Sequence, residues 1–505
     1  MPSKIYSAAI VGLDAQIIEI EVDASYGLRH FEIVGLPDKS VQEAKERVKA
    51  AIESSGLHSS RHLPLRVLVS LAPADLKKEG SLYDLPIALG FLTASKQLNF
   101  ISQDKIFLGE LALDGRLRPI KGVLSIAITA KQNGWKEIIL PKENEKEASL
   151  IKGLKVIGIK NLRETVDYLE RKKEISPYQA KIEDFSEKPN YSIDLSYIKG
   201  QKYAKRALEI TAAGNHNLLM EGPPGSGKTL LAKALPSILP PLSFEESLEV
   251  SKIHSITGFL SKENPLILLR PFRSPHHTSS EIALIGGGNP PHPGEITLAH
   301  RGVLFLDEFP EFHRDALESL RQPIEEGKIT ILRAKHQLSL PSRFVLVAAA
   351  NPCPCGNFEN SEKKCNCTNS QIKMYRRKLS GPLMDRIDIF INVPQVKYEK
   401  LIEDNEENAS QEIKEKVKKA REIQKQRFGQ DLTNAEMEIP QIKKYCLIDL
   451  KSQNLLKQYV DSGKLSARGY HRVLKTARTI ADLENSKNIL HDHLAEALMY
   501  RLKNY

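Results

Sequence analysis

Residues 221–235 read EGPPGSGKTLLAKAL and contain the pattern G-x-x-x-x-G-K-T, from Gly222 to Thr229. The apolar residues 217–220 before it predict a strand, and residues 230–235 after it predict the start of a helix. A phosphate-binding loop requires this strand–turn–helix context. Glycine has no Cβ, so backbone N–H groups can close on a polyphosphate, and the helix N-terminus adds partial positive charge. The alternative interpretation, an ordinary strand–turn–helix corner, is disfavoured by the motifs that follow downstream.

The residue types in this loop predict the contacts of a bound nucleotide. Lys228 is expected to reach the β- and γ-phosphates, and the hydroxyl of Thr229 is expected to bind Mg²⁺. The predicted ATP-binding residues of the loop are Gly222, Pro223, Pro224, Gly225, Ser226, Gly227, Lys228, Thr229 and Leu230.

An apolar strand that ends in two acids follows at residues 302–308, GVLFLDE. Buried parallel strands are continuously apolar, and α/β sheets place ligands at the carboxyl ends of their strands. Asp307 is therefore predicted to hold Mg²⁺, directly or through water, and Glu308 to activate the attacking water as a general base. An apolar run followed by Asp-Glu is weak evidence alone, but its pairing with the phosphate-binding loop makes it strong.

Two further polar residues are candidates for catalytic roles. Asn351 ends the apolar run 344–351 and is expected to polarise the attacking water, although a simple strand-end cap is the alternative. Arg386 is a candidate arginine finger, which would stabilise charge on the γ-phosphoryl group of a neighbouring subunit. The alternative for Arg386 is a structural salt bridge with Asp385 or Asp388.

A C-terminal helix predicted at residues 465–484 carries Arg468 and Arg472 four residues apart, on one face. One of these arginines is the candidate for a lid residue that contacts the nucleotide. Arg468 is preferred, and the choice between the two stays open.

The composition is that of a soluble globular protein. The 505 residues predict about three domains, and the hydrophobic and charged fractions of 41% and 27% are ordinary. No apolar run approaches the roughly 20 residues that span a bilayer, so no membrane partner is predicted. The N-terminus is too short and polar for a signal peptide, so a cytoplasmic location is expected. The net charge of +10 suits a polyanionic partner such as DNA or RNA, or simply a basic protein.

The chain divides into three segments and a linker. Residues 1–172 alternate strands with helices, and residues 39–56 predict a helix with one apolar face, formed by Val41, Ala44, Val48 and Ile52. Residues 173–191 are charged, contain two prolines and predict a linker. Residues 192–395 hold the nucleotide motifs, and residues 396–505 predict a helical lid. The fold class is therefore α/β with a helical C-terminal segment.

Four of the five cysteines form a cluster in the loop 353–367, with the spacing C-P-C-G-x₈-C-x-C. Thiolates at such spacing can close a tetrahedral Zn²⁺ site, and metal would supply folding energy to a loop too polar to form a core. An iron–sulfur cluster and unligated thiols are the alternatives. The predicted ligands are Cys353, Cys355, Cys365 and Cys367, while Cys446 is expected to be buried and inert.

Residues 326–338 predict a hairpin with basic residues at or near its tip, Arg333, Lys335 and His336. Cations there would contact DNA phosphates, which is a sequence-independent and salt-sensitive grip. A surface hairpin with solvated charges is the alternative.

Histidines flank the prolines and glycines of a loop segment at positions 276, 277, 292 and 300. Their spacing fits no standard ligand set, so contacts to neighbouring loops or to DNA are favoured over a metal site.

The order of these motifs resembles the AAA+ ATPases of the helix-2-insert type. Residues 274–312, from SPHHT to EFPEF, resemble magnesium chelatases and, more distantly, minichromosome maintenance helicases. Nearly the whole chain resembles the YifB/ComM family of magnesium-chelatase-like proteins, most distinctively at residues 35–52, 273–278 (RSPHHT) and 466–472 (SARGYHR). The resemblance implies hexameric rings, a hairpin that projects into the ring's pore, and ATP-driven branch migration on branched or single-stranded DNA in recombination or natural transformation.

The first segment resembles the proteolytic domain of Lon, which has the ribosomal-protein-S5-like fold, most clearly at residues 108–151. The Lon pattern places its Ser/Lys dyad at positions occupied here by Leu82 and Ile126, neither of which can attack a carbonyl or accept a proton. A one-residue slip would offer Ser81, with Lys121 as its base. No peptidase activity is therefore expected.

The sequence as a whole predicts an ATP-hydrolysing DNA motor that requires ATP and Mg²⁺ and carries Zn²⁺. The alternative is a chelatase-type ATPase that remodels a protein partner without touching DNA. The basic hairpin favours the first interpretation.

Overall fold

The computed structural model describes residues 2–179, 191, 193–261, 263–288, 291–333, 336–358, 363–378, 381, 383–396 and 409–501. They form two compact units. The first comprises Met1–Glu187 and Ser247–Ile267, and the second comprises Lys188–Glu246 and Leu268–Tyr505. Within the described ranges, no helix has both the length and the apolar character that crossing a bilayer would require.

The first unit contains a four-stranded sheet of order β1-β2-β4-β3, a three-stranded parallel sheet of order β5-β8-β9, and the small hairpin β6-β7. Its strands are β1 (Ser3–Val11), β2 (Asp14–Tyr26), β3 (His30–Val34), β4 (Leu65–Ala72), β5 (Lys105–Phe107), β6 (Glu110–Leu111), β7 (Leu117–Arg118), β8 (Glu137–Pro141) and β9 (Lys155–Ile159). Its helices are α1 (Lys39–Ser54), α2 (Asp84–Ala94), α3 (Val123–Gln132), α4 (Glu145–Ala148) and α5 (Leu162–Leu169).

Period-two and helical patterns explain how the core of this unit forms. Alternate residues of β4 are buried, whereas their neighbours along the strand are more exposed. The predicted apolar face of α1 is confirmed, because Val41, Ala44, Val48 and Ile52 are all buried. The side chain of Asp38 caps this helix by accepting a hydrogen bond from the backbone N–H of Val41 at 2.8 Å.

A segment from the middle of the chain, Ser247–Ile267, belongs to the first unit. Its buried Ser255 donates a hydrogen bond to the carboxylate of Glu147 at 2.5 Å. Lys252 forms an ion pair with Asp14, also at 2.5 Å. In the sequence these residues lie among the nucleotide motifs, and nothing in their local pattern indicates such distant partners.

The second unit is built on a five-stranded sheet of order β11-β14-β17-β10-β18, in which every neighbouring pair is parallel. Its strands are β10 (Leu218–Glu221), β11 (Phe272–Arg273), β14 (Val303–Leu306), β17 (Val345–Ala350) and β18 (Ile389–Asn392). Two hairpins lie outside the sheet, one of β12 (Gly286–Gly287) with β13 (His292–Pro293) and one of β15 (Lys328–Arg333) with β16 (His336–Pro341).

Helices precede, connect and follow these strands. The earlier ones are α6 (Lys202–Gly214), α7 (Lys228–Ile238), α8 (Phe244–Thr257, whose residues from Ser247 onward belong to the first unit), α9 (Glu281–Ile285), α10 (Glu295–Leu298), α11 (Arg314–Glu318), α12 (Arg321–Glu326) and α13 (Asn369–Lys378). The C-terminal ones are α14 (Ala409–Phe428), α15 (Ile439–Tyr445), α16 (Leu450–Asp461), α17 (Ala467–Leu483) and α18 (His491–Met499). The predicted helical C-terminal segment is thus present, and its buried residues join those of the sheet in one hydrophobic cluster.

The strand order determines where a ligand can bind. The first parallel strand along the chain, β10, lies between the fourth, β17, and the fifth, β18. Open α/β sheets bind ligands beyond the carboxyl ends of their strands. The loops after β10, β14 and β17 therefore meet at one edge of the sheet.

Candidate nucleotide site

The phosphate-binding loop lies between β10 and α7, as the sequence predicts. Gly225 and Gly227 adopt positive φ angles of 76° and 88°, which favour glycine. Gly222 is required for a different reason, because a Cβ there would lie 2.2 Å from the backbone oxygen of Val393. Helix α7 begins at Lys228, so its free N–H groups face the loop.

Lys228 is buried within the loop. Its ammonium donates hydrogen bonds to the backbone oxygens of Gly222, at 2.7 Å, and Pro223, at 2.9 Å. Burial lowers the pKa of Lys228, and the negative charge of Asp307 opposes that effect. A phosphate group beside this ammonium would favour its charged form still further.

Thr229 and Asp307 meet directly. The Thr229 hydroxyl donates a hydrogen bond to Oδ2 of Asp307 at 2.7 Å. Asp307 follows β14, whose four residues are all buried, and its Oδ1 accepts from the backbone N–H of Glu308 at 2.9 Å. A hydroxyl and a carboxylate are oxygen ligands of the kind that Mg²⁺ prefers, so this pair fits the ion.

Asn351 lies at the same edge, directly after β17. Its Oδ1 is 3.4 Å from the ammonium of Lys228. The backbone also joins the two strand ends, because Gly222 N–H donates to the oxygen of Ala350 at 3.2 Å. Lys228, Asn351 and the Thr229–Asp307 pair therefore form one constellation.

Glu308 occupies a left-handed backbone conformation, with φ 51° and ψ 42°. This conformation is costly for a non-glycine residue and is often found at functional sites. Its carboxylate lies 3.1 Å from Nδ1 of His277, which follows β11 in the RSPHHT stretch. The sequence predicted for His277 a loop contact to neighbours or to DNA, since nothing in its spacing indicated an acidic partner.

The predicted finger, Arg386, lies elsewhere in the second unit. Its residue exposure is only 7%, and its guanidinium forms an ion pair with Glu325 at 2.5 Å. The salt-bridge alternative from the sequence named Asp385 or Asp388 as the partner of Arg386, and the structure adds Glu325 of α12 as a partner.

Arg468 and Arg472 of α17 have different surroundings. Arg472 forms an ion pair with the buried Asp388, which also accepts from the backbone N–H of Asn217 at 2.9 Å. Burial alone would raise the pKa of Asp388, but Arg472 and His216 lower it far below its usual range. The side chain of Arg468 is 64% exposed and lies 3.8 Å from Asp385.

These arginines lie towards the opposite edge of the sheet from Lys228. Strand register pairs Leu218 with Ile389 and Glu221 with Asn392, so Asp388 adjoins the start of β10 while the phosphate-binding loop follows its end. Four residues of parallel strand span about 13 Å. A cavity of ≈ 480 Å³ in this region is lined in part by Glu325, Arg468, His471, Arg472 and Lys475.

The four clustered cysteines converge as a metal site would require. Their Sγ atoms all lie within 4.8 Å of one another, and three of the pairs are separated by 3.4, 3.6 and 3.7 Å. A tetrahedral ion with Zn–S bonds of about 2.3 Å would place its sulfurs about 3.8 Å apart. The thiol set therefore fits zinc. Cys446 is buried, as predicted, and burial raises its pKa to about 12.

The histidines do not form a comparable site in the part of the chain that the structure describes, where the four cysteines are the one candidate metal cluster. His300 instead accepts a hydrogen bond from the backbone N–H of Arg343 at 3.0 Å. This is a structural loop contact.

The predicted basic hairpin is present as β15 and β16. Arg333 and His336 are the last paired residues of its ladder, and only their backbone is described. Lys335 lies outside the described residues.

The residues at the Lon-like positions of the first unit have structural surroundings. Leu82 and Ile126 are buried in its core. The hydroxyl of Ser81 donates a hydrogen bond to the carboxylate of Glu110. Lys121 packs against Gly258, where an added Cβ would lie 2.6 Å from its Cε.

A parallel sheet with a phosphate-binding loop, an acidic strand end and a polar strand end defines a P-loop nucleotide-binding fold. Residues 194–401 match the family described as magnesium chelatase, subunit ChlI. Residues 20–144 match subunit ChlI of Mg-chelatase, and residues 407–501 match the C-terminal part of that subunit.

Several relatives are similar over nearly their whole length, among them proteins of Haemophilus influenzae and Escherichia coli. The chain is 43% identical to competence protein ComM of Haemophilus influenzae over 507 residues, which cover 98% of this chain and 97% of that protein. It is 42% identical to the uncharacterized protein YifB of Escherichia coli over 509 residues, with 99% and 97% coverage. The chain therefore belongs to the YifB/ComM family of magnesium-chelatase-like AAA+ proteins.

Proposed function

We propose that this protein hydrolyses ATP and uses the energy to move branched DNA, working as a ring of identical subunits, most simply a hexamer. The observation that carries the proposal is the 2.7 Å contact between Thr229 and Asp307, beside the 3.4 Å approach of Lys228 to Asn351. In P-loop NTPases the loop Lys cradles the phosphates while the Ser/Thr after it and a strand-end Asp hold Mg²⁺, and Asn351 lies beside this set.

The proposed roles follow from the geometry. Lys228 and the loop N–H groups hold the phosphates, while Thr229 and Asp307 hold Mg²⁺, which neutralises charge on the phosphates when it is bound. Glu308 orients a water for in-line attack on the γ-phosphate and takes its proton. Asn351 polarises that water. His277 positions the Glu308 carboxylate, to which it lies 3.1 Å away.

A second copy is proposed to complete the site. Arg386 and Arg468 lie towards the far edge of the sheet from Lys228, so they are placed to serve the nucleotide of a neighbouring subunit rather than their own. A heterologous contact of this kind generates a ring when the rotation closes. Of Arg468 and Arg472 in α17, the exposed Arg468 is better placed for this role, because Arg472 is committed to buried Asp388.

Three observations support DNA as the substrate. The chain carries a net charge of +10, and the sequence of the hairpin β15–β16 places basic residues at or near its tip. The relative from Haemophilus influenzae is named a competence protein. We further propose that the cysteine cluster holds a structural Zn²⁺, as its sulfur spacing supports.

The test compares ATP hydrolysis with and without forked or four-way DNA, together with strand exchange on a synthetic junction. Strong stimulation by DNA and exchange that is lost in Glu308→Gln would support the proposal, with the exposed Glu318→Gln as the matched control. Lys335→Ala should weaken DNA binding at several salt concentrations while sparing basal hydrolysis. A flat response to DNA, with remodelling of a protein client, would replace the DNA motor by the chelatase-type alternative.

A further inference from the structure

We propose that the metal-held cysteine cluster braces the phosphate-binding loop, so that metal occupancy sets the affinity for nucleotide. The inference rests on the proposed nucleotide site. It adds that nucleotide binding there depends on the metal of the cysteine cluster as well as on Mg²⁺. The cluster would then do more than order its own surface loop.

The first observation is a direct packing contact between the two loops. Gly356 follows Cys355, and a Cβ at this position would lie 2.4 Å from Cδ and 2.6 Å from Cγ of Pro224 in the phosphate-binding loop. Gly356 also has a positive φ of 78°, and its N–H donates to the oxygen of Cys353 at 2.9 Å. The cysteine turn therefore lies flat against Pro224 and leaves no room for a side chain.

The second observation is that the chain on both sides of the cluster contacts the catalytic constellation. Asn351, two residues before Cys353, approaches the ammonium of Lys228 to 3.4 Å. After the cluster, α13 carries the buried Tyr375, whose hydroxyl oxygen interacts with the backbone of Asn351. Lys378 of the same helix lies 3.4 Å from Glu311, three residues after Glu308. The cluster thus lies between Asn351 and α13, both of which contact the residues of the proposed nucleotide site.

Metal would supply the folding energy that the sequence of this loop cannot supply by forming a core. The sequence between Cys355 and Cys365 is GNFENSEKK, which is too polar and charged to form a core. Bringing four thiolates together without an ion would be opposed by their mutual repulsion. Without metal, the turn at Gly356 would lose its fixed position, and Pro224 would lose the surface against which it packs.

The experiment uses the full chain and separates the metal from the contact. Zinc content and the dissociation constant of a fluorescent ATP analogue are measured for wild type, Cys355→Ser/Cys367→Ser and Gly356→Ala, with circular dichroism to confirm folding. Cys446→Ala controls for loss of a thiol outside the cluster. Gly463→Ala is the matched control for Gly356→Ala, because Gly463 has a similar φ of 71° but nothing within 4 Å of an added Cβ.

We expect about one zinc per wild-type chain. The double cysteine variant should lose the metal and bind nucleotide at least about tenfold more weakly, and Gly356→Ala should keep the metal but bind comparably weakly. Both controls should match wild type. The proposal would be wrong if the double cysteine variant and Gly356→Ala folded and bound nucleotide with wild-type affinity. It would also be wrong if the wild-type protein contained no metal. If wild type itself bound no nucleotide, the proposed function would fail instead.

Discussion

The two edges of the five-stranded sheet in the second unit carry complementary groups. At the carboxyl edge, Lys228 approaches Asn351 to 3.4 Å and Thr229 donates a hydrogen bond to Asp307 at 2.7 Å. Towards the amino edge lies a cluster rich in arginine, in which Arg386 is paired with Glu325 and Arg472 with Asp388.

The difference between the edges is the basis for the proposal that a second copy completes the site. The carboxyl edge has what a Mg²⁺–triphosphate needs in its ground state, but the predicted finger lies elsewhere. The amino edge has guanidinium groups but no phosphate-binding loop. A head-to-tail contact between copies would join the two edges, which a single chain cannot do across the length of a strand.

Loss of the carboxyl edge should have the largest effect. Lys228→Ala removes the cation that the loop places beside the phosphates, so ATP hydrolysis should fall by about 10³-fold, as for other preorganised charge-stabilising groups. The matched control is Lys233→Ala, because Lys233 lies on the same helix and is exposed. Equal activities of the two variants in a steady-state phosphate-release assay would remove the basis for the nucleotide site.

Mixing two inactive variants tests whether the carboxyl edge of one subunit works with the amino edge of another. Arg386→Ala alone should lower hydrolysis by about 10³-fold or more. An equal mixture of Arg386→Ala and Lys228→Ala subunits should regain activity. Random mixing joins an intact phosphate-binding loop to an intact Arg386 at roughly one quarter of the interfaces.

The Glu325→Gln variant is the control for that mixing experiment. It breaks the same ion pair without removing the arginine, so it should keep most of the activity if Arg386 is a finger. If Glu325→Gln and Arg386→Ala are equally inactive and mixing restores nothing, Arg386 has only a structural role.

Stability should depend on the amino edge through Asp388. Asp388→Asn leaves Arg472 without its buried charge partner and should lower the free energy of unfolding by about 3 to 5 kcal/mol. Arg314→Ala, which breaks an exposed pair with Glu318, should change it by less than about 0.5 kcal/mol. Urea denaturation of the three proteins at pH 7 measures both differences.

The same variant gives a pH test. The folded state holds the pKa of Asp388 below its usual range, so its contribution is fully present above the unfolded-state pKa of about 4. That contribution is lost as the pH falls from there through the depressed folded-state pKa. The stability gap between wild type and Asp388→Asn should therefore be flat near neutrality and close in acid. A gap that widens in acid would contradict this assignment.

The smallest effect is expected in the first unit. The Ser81 hydroxyl donates a hydrogen bond to the Glu110 carboxylate, and the Lon-like positions hold buried Leu82 and Ile126. Ser81→Ala should therefore leave ATP hydrolysis and DNA stimulation unchanged, and wild type should not degrade an unfolded protein in the presence of ATP. If wild type cleaved the unfolded protein in an ATP-stimulated manner and Ser81→Ala abolished that cleavage, the first unit would contain a peptidase site and this prediction would be wrong.

Local patterns predicted much of the nucleotide site because each element is short and its chemistry is contiguous. The glycines around Lys228, the apolar run before Asp307 and the close spacing of the four cysteines each constrain a single turn or strand. The helix at Lys39–Ser54 was predictable for the same reason, since one buried face needs only a helical period.

Tertiary structure decided which of these elements touch. The approach of Gly356 to Pro224, the pairing of His277 with Glu308 and the placement of Arg386 against Glu325 join residues far apart in sequence. No local sequence pattern predicts these contacts, because each follows from the order in which the parallel strands pair. The sequence by itself therefore determined the chemistry of each strand end. The insertion of β10 between β17 and β18 decided which ends share an edge, since parallel pairing fixes direction and register across the sheet.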